Sequence, residues 1–140
     1  MLRVFEPNIT TADVEAVSDA LKNGWVSSTG PYIESFEADL CRNFASKHAV
    51  VMNSGTSALE AAIHALNLEQ NDEVILPSFT IVSCVNAVIS NGAVPVFVDI
   101  EKDSWNLDIE HVVAAITPKT KAVMCVHMYG EPCDIVRLSD

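Results

Sequence analysis

The sequence predicts an α/β fold in three layers: a doubly wound, mostly parallel sheet covered by helices on both sides. Three observations carry that prediction. Short runs such as Val74-Ile75-Leu76 and Val94–Asp99 are apolar on both faces, as strands buried on both faces must be. Most of them are separated by a segment of helical spacing, the crossover that parallel pairing requires. Turn residues such as Gly24, Pro77 and Asn91-Gly92 punctuate the junctions.

Each element has its own signal. Thr10 or Thr11 can cap a first helix running to about Asn23, with Asp13 in its first turn and Gly24 as its stop. Gly24–Pro31 reads as a loop. A second helix places Ile33, Phe36, Leu40 and Phe44 on one face. A strand is expected at 49–53, followed at once by an amphipathic helix from Ala58 to Leu66. Strand 74–76 is closed by Pro77, and helix 79–90 stops at Asn91-Gly92. Strand 94–99 carries Pro95 near its start, where a missing N–H is tolerated. A helix over 107–116, a strand over 122–126 and an amphipathic helix beginning near Glu131 complete the alternation. There is no internal repeat and no low-complexity linker. The reading is one domain over 1–140, with 1–31 as an N-terminal helix and loop. Because the alternation halts just inside a helix, the domain is expected to be truncated or completed by another chain, its last strand partly uncovered.

Composition narrows the function. Hydrophobic residues make up 49% of the chain, which excludes a disordered segment and supports one packed core. No apolar run approaches the roughly 20 residues of a membrane span. Met1–Pro7 lacks the long apolar stretch and small-residue cleavage site of a signal peptide, so a cytoplasmic location is expected. Eight basic against nineteen acidic residues give a net charge of −11, which argues against a nucleic-acid partner. Cys41, Cys84, Cys125 and Cys133 form no C-x-x-C pair; three lie in or beside apolar segments, so reduced, buried thiols are expected and no metal site.

The most informative stretch is Ala49-Val50-Val51-Met52-Asn53-Ser54-Gly55-Thr56-Ser57. An apolar run ends in a small, polar turn that opens a helix. The backbone N–H groups of Gly55, Thr56 and Ser57 are then expected to lie unpaired at the positive end of the helix dipole. Two readings fit: an ordinary Ser/Thr cap, and a phosphate site. On a chain this acidic, any phosphate must be held locally, by amides. No G-x-G-x-x-G follows any strand, which disfavours a dinucleotide-binding half-domain.

Seven blocks in order then resemble one family. They are Gly24–Pro31, Phe36-Glu37, Ser54–Leu59, Asp72–Thr80, Gly92–Asp99, Thr117–Ala122 and His127–Gly130. Together they resemble the DegT/DnrJ/EryC1/StrS sugar aminotransferases, and the strings Phe79–Cys84 and Ser104-Trp105-Asn106 resemble its perosamine-synthase-like branch. The resemblance covers nearly all of this chain and about the first third of a typical member. It implies the N-terminal part of the large domain of the aspartate-aminotransferase fold, with pyridoxal 5'-phosphate as cofactor. It further implies a keto-sugar nucleotide as substrate, an amino-acid donor such as glutamate, and a homo-oligomer.

Position by position, the resemblance implies that Gly55, Thr56 and Ser57 hold the cofactor phosphate. The residue after Thr80 is usually an aromatic that stacks on the pyridine ring; here it is Ile81, which gives up that geometry. Thr29 and Gly30 fall in the family's substrate-facing loop. Asp99, His127 and Trp105 are expected to be structural. None of the five lysines (Lys22, Lys47, Lys102, Lys119, Lys121) matches the family's Schiff-base motif, so these residues alone are not expected to catalyse transamination. Two further readings stay open: a dehydratase of the same family, and a non-catalytic, self-associating remnant.

Overall fold

The computed structural model describes residues 6–139, so the signal-peptide reading of Met1–Phe5 lies outside the described residues. The chain forms two compact units divided between Val51 and Met52.

The first unit holds two helices. Helix α1 (Thr11–Lys22) is capped by Thr10, which resolves the choice between the two threonines. The Asp13 carboxylate accepts the Thr10 N–H at 2.7 Å, while the Asp13 N–H donates to Thr10 Oγ1 at 3.4 Å. The hydroxyl and amide bonds from Thr10 hold the Asp13 carboxyl below its ordinary pKa, because they favour its charged form. Helix α2 (Pro31–Asn43) starts with Pro31 in its first turn, where the missing N–H costs nothing. Tyr32 ties it to α1 by donating to Asp19 Oδ2 at 2.9 Å. Gly30, at the N-cap of α2, has φ +140°, and a Cβ there would come within 2.9 Å of Trp25 Cε3. Only glycine fits under that ring in that conformation.

The expected strand at 49–53 does not form; these residues are irregular. A strand needs a neighbour for its backbone groups. Among the described residues no strand flanks this one, and the Val51 N–H donates instead to Glu37 Oε1 at 3.0 Å.

The second unit runs α3 (Gly55–Ala65), β1 (Glu73–Pro77), α4 (Val82–Ser90), β2 (Val94–Val98), α5 (Ile109–Ala115), β3 (Thr120–Val123), a 3-10 turn (Met128–Gly130) and α6 (Ile135–Ser139). The three strands are parallel in the order β2-β1-β3. Ile75 sits opposite Val96 on one side and Val123 on the other. Pro95 lies in an edge strand, as a residue without a donor should.

Handedness explains the layers. The chain leaves β1 for β2 on one side, then returns across β1 to β3 on the other. Right-handed crossovers in opposite directions put α4 and α5 on opposite faces. The core follows the strand alternation. Val74 packs with Ile63, Ala87, Val88 and Ala93, beneath α3 and α4. Its neighbour Ile75 packs with Val98, Leu107, Val112 and Cys133 on the opposite face.

Several boundaries differ from the sequence pattern, two of them for a capping reason. Helix 79–90 starts only at Val82, because Ile81 holds an extended N-cap conformation. Helix 107–116 starts at Ile109, because the Asp108 carboxylate caps the amides of Glu110 and His111. The last strand spans Thr120–Val123 rather than 122–126, and the helix expected near Glu131 begins at Ile135. Cys84 and Cys133 are buried, whereas Cys41 and Cys125 are only partly so, and all four are free thiols. Burial pushes the Cys133 thiol up in pKa, and it donates to the Val126 carbonyl at 3.1 Å.

Gly30→Ala is expected to destabilise the first unit by roughly 1–3 kcal/mol, the usual cost of an L-residue forced into such a conformation. Denaturant unfolding followed by Trp25 fluorescence would check this, with a lower midpoint as the expected outcome.

Candidate cofactor site

The site lies at the C-terminal ends of the strands. In open α/β sheets, loops that leave neighbouring strands toward opposite faces open a crevice there. The loop after β1 turns to the α4 face and the loop after β2 to the α5 face, which places Ser78–Ile81 at such a divergence.

The N-terminus of α3 supplies backbone donors. Ser54 is its N-cap, and its Oγ accepts the Ser57 N–H at 3.2 Å. The structure therefore corrects one expectation: the Ser57 amide is not free. The cap and anion readings coexist, because Ser54 takes one amide and leaves two. Among the described residues, the amides of Gly55 and Thr56 have no protein acceptor. A Cβ built at Gly55 would meet nothing within 4 Å, so a ligand can approach the backbone there. Ser57 keeps its hydroxyl beside that of Ser54, at 3.1 Å.

A second helix end meets the first. Thr56 Oγ1 and Ser83 Oγ lie 2.9 Å apart, joining the first turns of α3 and α4. The first turns of two helices are thus in contact, and helix N-termini are places that favour an anion. Ser83 was missed by the sequence reading, although its place one residue into an apolar helix was a usable signal. Ile81, just before α4, is 65% exposed, with its aliphatic side chain free to meet a ligand. Thr29 and Gly30 lie in the first unit, Thr29 exposed and Gly30 buried under Trp25.

The remaining candidates take structural places. Asp99 Oδ1 accepts the Ile100 N–H at 2.8 Å, and its carbonyl accepts the Asp108 N–H at 3.0 Å. His127 Nδ1 accepts the Cys133 N–H at 3.0 Å, which leaves its proton on Nε2. Lys22, Lys47, Lys102, Lys119 and Lys121 are all exposed, and Lys121 faces Asp72 at 3.9 Å.

Asn106 was also missed. It is the buried polar side chain of the described core. Its Nδ2 donates to the carbonyls of Glu131 and Pro132, each at 3.1 Å, and its Oδ1 accepts the Met128 N–H at 3.3 Å. It clamps the loop after β2 to the segment after β3.

Comparison with known proteins identifies the family and the fold. The sequence profile of the DegT/DnrJ/EryC1/StrS aminotransferase family matches residues 7–140. The chain belongs to this family. It is 44% identical over 140 residues to the GDP-perosamine synthase of Vibrio cholerae, covering 100% of this chain and 38% of that protein. The chain thus spans about 38% of the length of that curated relative. A Streptococcus pneumoniae protein assigned as a sugar aminotransferase, solved in its PLP form, superposes with TM-score 0.85 at 37% identity. That match covers 95% of this chain and 34% of the other. A GDP-4-keto-6-deoxymannose-3-dehydratase with a trapped PLP-glutamate geminal diamine superposes with TM-score 0.81 at 29% identity, over 90% of this chain and 34% of its own. The parallel sheet and its helices are the N-terminal part of the large domain of the aspartate-aminotransferase fold.

Asn106→Ala is expected to cost roughly 1–3 kcal/mol, since it removes three part-buried hydrogen bonds from a buried side chain. Hydrogen exchange would check it, showing faster exchange at Met128 while the α3 amides keep their protection.

Proposed function

We propose that these residues form the phosphate-binding part of a pyridoxal-phosphate-dependent nucleotide-sugar aminotransferase. The observation that carries this is the pair of free amides at Gly55 and Thr56, beside the joined first turns of α3 and α4. The chemistry fits the group: a dianionic phosphate suits two donors, nearby hydroxyls and two helix dipoles, with open space against Gly55. When bound, the cofactor supplies the electron sink for moving an amino group, and the protein supplies position and electrostatics.

Each residue has a distinct task in this reading. Gly55 and Thr56 donate backbone N–H groups to the phosphate. Ser57 contributes its hydroxyl, and Ser83 holds Thr56 in place. Ile81 packs its aliphatic side chain on one face of the pyridine ring and keeps water from it. Thr29 and Gly30 are the substrate residues of this reading, Thr29 with an exposed side chain and Gly30 shaping the loop before α2. The amino donor is glutamate and the acceptor a keto-sugar nucleotide, in polysaccharide biosynthesis, in a cytoplasmic homodimer. The perosamine-synthase relative supports an amino-sugar product. The superposed dehydratase favours a second reading, a dehydratase on the same cofactor. Both need a covalent anchor, or its replacement, that none of the five exposed lysines supplies in this reading.

Titration with pyridoxal phosphate, followed by absorbance and then borohydride trapping with mass spectrometry, tests the proposal. Reversible binding with no trapped lysine is expected; a specific adduct on any of the five lysines would contradict it. Ile81→Phe is expected to tighten cofactor binding about two- to tenfold, the gain an aromatic pair gives beyond area. Unchanged affinity in that variant would place the pyridine ring elsewhere.

A further inference from the structure

Two cysteines of the second unit are brought together by a reversal of the chain. Side chains alternate between the two faces along and beyond β3. Ala122 and Met124 join the core beneath α3 and α4, whereas Cys125 packs in the core of Ile75 on the opposite face. The chain then turns back through Met128–Gly130, where the Glu131 N–H donates to the Met128 carbonyl at 2.9 Å. Two bonds seat Cys133 against the segment it has just left. Its N–H donates to His127 Nδ1 at 3.0 Å, and its thiol donates to the Val126 carbonyl at 3.1 Å. Asn106 pins the same turn from the loop after β2, through the Met128 N–H and the carbonyls of Glu131 and Pro132. Cys133 is thereby buried in the core that Cys125 joins. Burial first, and the adjacent Cys125 second, push the Cys133 thiol up in pKa, so it stays protonated at neutral pH.

We propose that Cys125 and Cys133 form a reversible disulfide that fastens the segment 126–132 at the C-terminal ends of the strands. Small apolar residues would serve packing alone as well; what two adjoining sulfurs add is the capacity to bond. The oxidant is a hydroperoxide. Hydrogen peroxide transfers one oxygen to the Cys125 sulfur, giving a sulfenic acid and releasing water. The Cys133 sulfur then attacks the Cys125 sulfur. The S–S bond forms as the S–O bond breaks, and hydroxide leaves with the Cys133 proton as a second water. Two electrons thus pass from the sulfur pair to the peroxide, and a dithiol returns the pair to thiols by exchange. Oxidation also ends the bond to the Val126 carbonyl, because the Cys133 sulfur no longer carries a proton. In a reducing compartment such a bond is transient. The inference uses no residue of the proposed phosphate site and stands or falls apart from it.

The test exposes the native chain to hydrogen peroxide, blocks the remaining thiols under denaturing conditions and maps the digest by mass spectrometry. The expected product is a peptide holding both Cys125 and Cys133, lighter by the two lost hydrogens and restored by dithiothreitol, with Cys41 and Cys84 blocked as thiols. Equilibration in dithiothreitol redox buffers then separates the effect of the fold from nearness in sequence. The equilibrium constant for the bond should be about tenfold or more higher in the native chain than in the urea-unfolded chain, since a fold that presents both sulfurs has already met the cost of closing the loop. Bonds through Cys41 or Cys84 in place of this one would overturn the proposal. So would a Cys125 oxidised past the sulfenic acid beside an unchanged Cys133, both thiols left intact by peroxide, or a native constant no higher than the unfolded one.

Discussion

Burial of β1 on every side is the constraint from which the second unit follows. Val74, Ile75 and Leu76 are fully buried, their backbones paired to β2 and β3 and their side chains alternating into two separate cores. The middle of such a strand has no room for an unpaired polar side chain, so chemistry is displaced to its ends. The crossovers then decide which end. Because α4 and α5 must lie on opposite faces, the loops diverge at the C-terminal ends of the strands, and the crevice opens there.

That divergence also brings helix N-termini together. Helix α4 begins directly after the β1 loop, and α3 packs beside it over Val74. The contact between Thr56 and Ser83 is the local consequence. In the proposed reading a phosphate is held there because short-range backbone hydrogen bonds outweigh the screened repulsion of distant carboxylates. Asn106, itself buried, ties the loop after β2 to the segment after β3 through three backbone groups.

Much of this was legible in the chain itself. The two-faced apolar runs at 74–76 and 94–98 announced a parallel sheet, and Ser54-Gly55-Thr56-Ser57 announced a capped helix start. Strand 49–53 was misread because apolar content alone does not make a strand; partners do, and Val51 found Glu37 instead. The free Ser57 amide was misread because Ser54 both caps the helix and precedes the turn. Ser83 and Asn106 were invisible for a different reason. Their roles come from contacts between loops remote in sequence, and no local spacing encodes which loops the crossovers will bring together.

The central claim is that the amides of Gly55 and Thr56 bind the phosphate of pyridoxal phosphate. Amide-resolved NMR of the chain, titrated in parallel with pyridoxal phosphate and with phosphate-free pyridoxal, addresses it most directly. The account predicts shifts centred on Gly55, Thr56 and Ser83 with pyridoxal phosphate, and little change there with pyridoxal. Shifts of equal size with both ligands, or a response centred away from the α3 N-terminus, would contradict it.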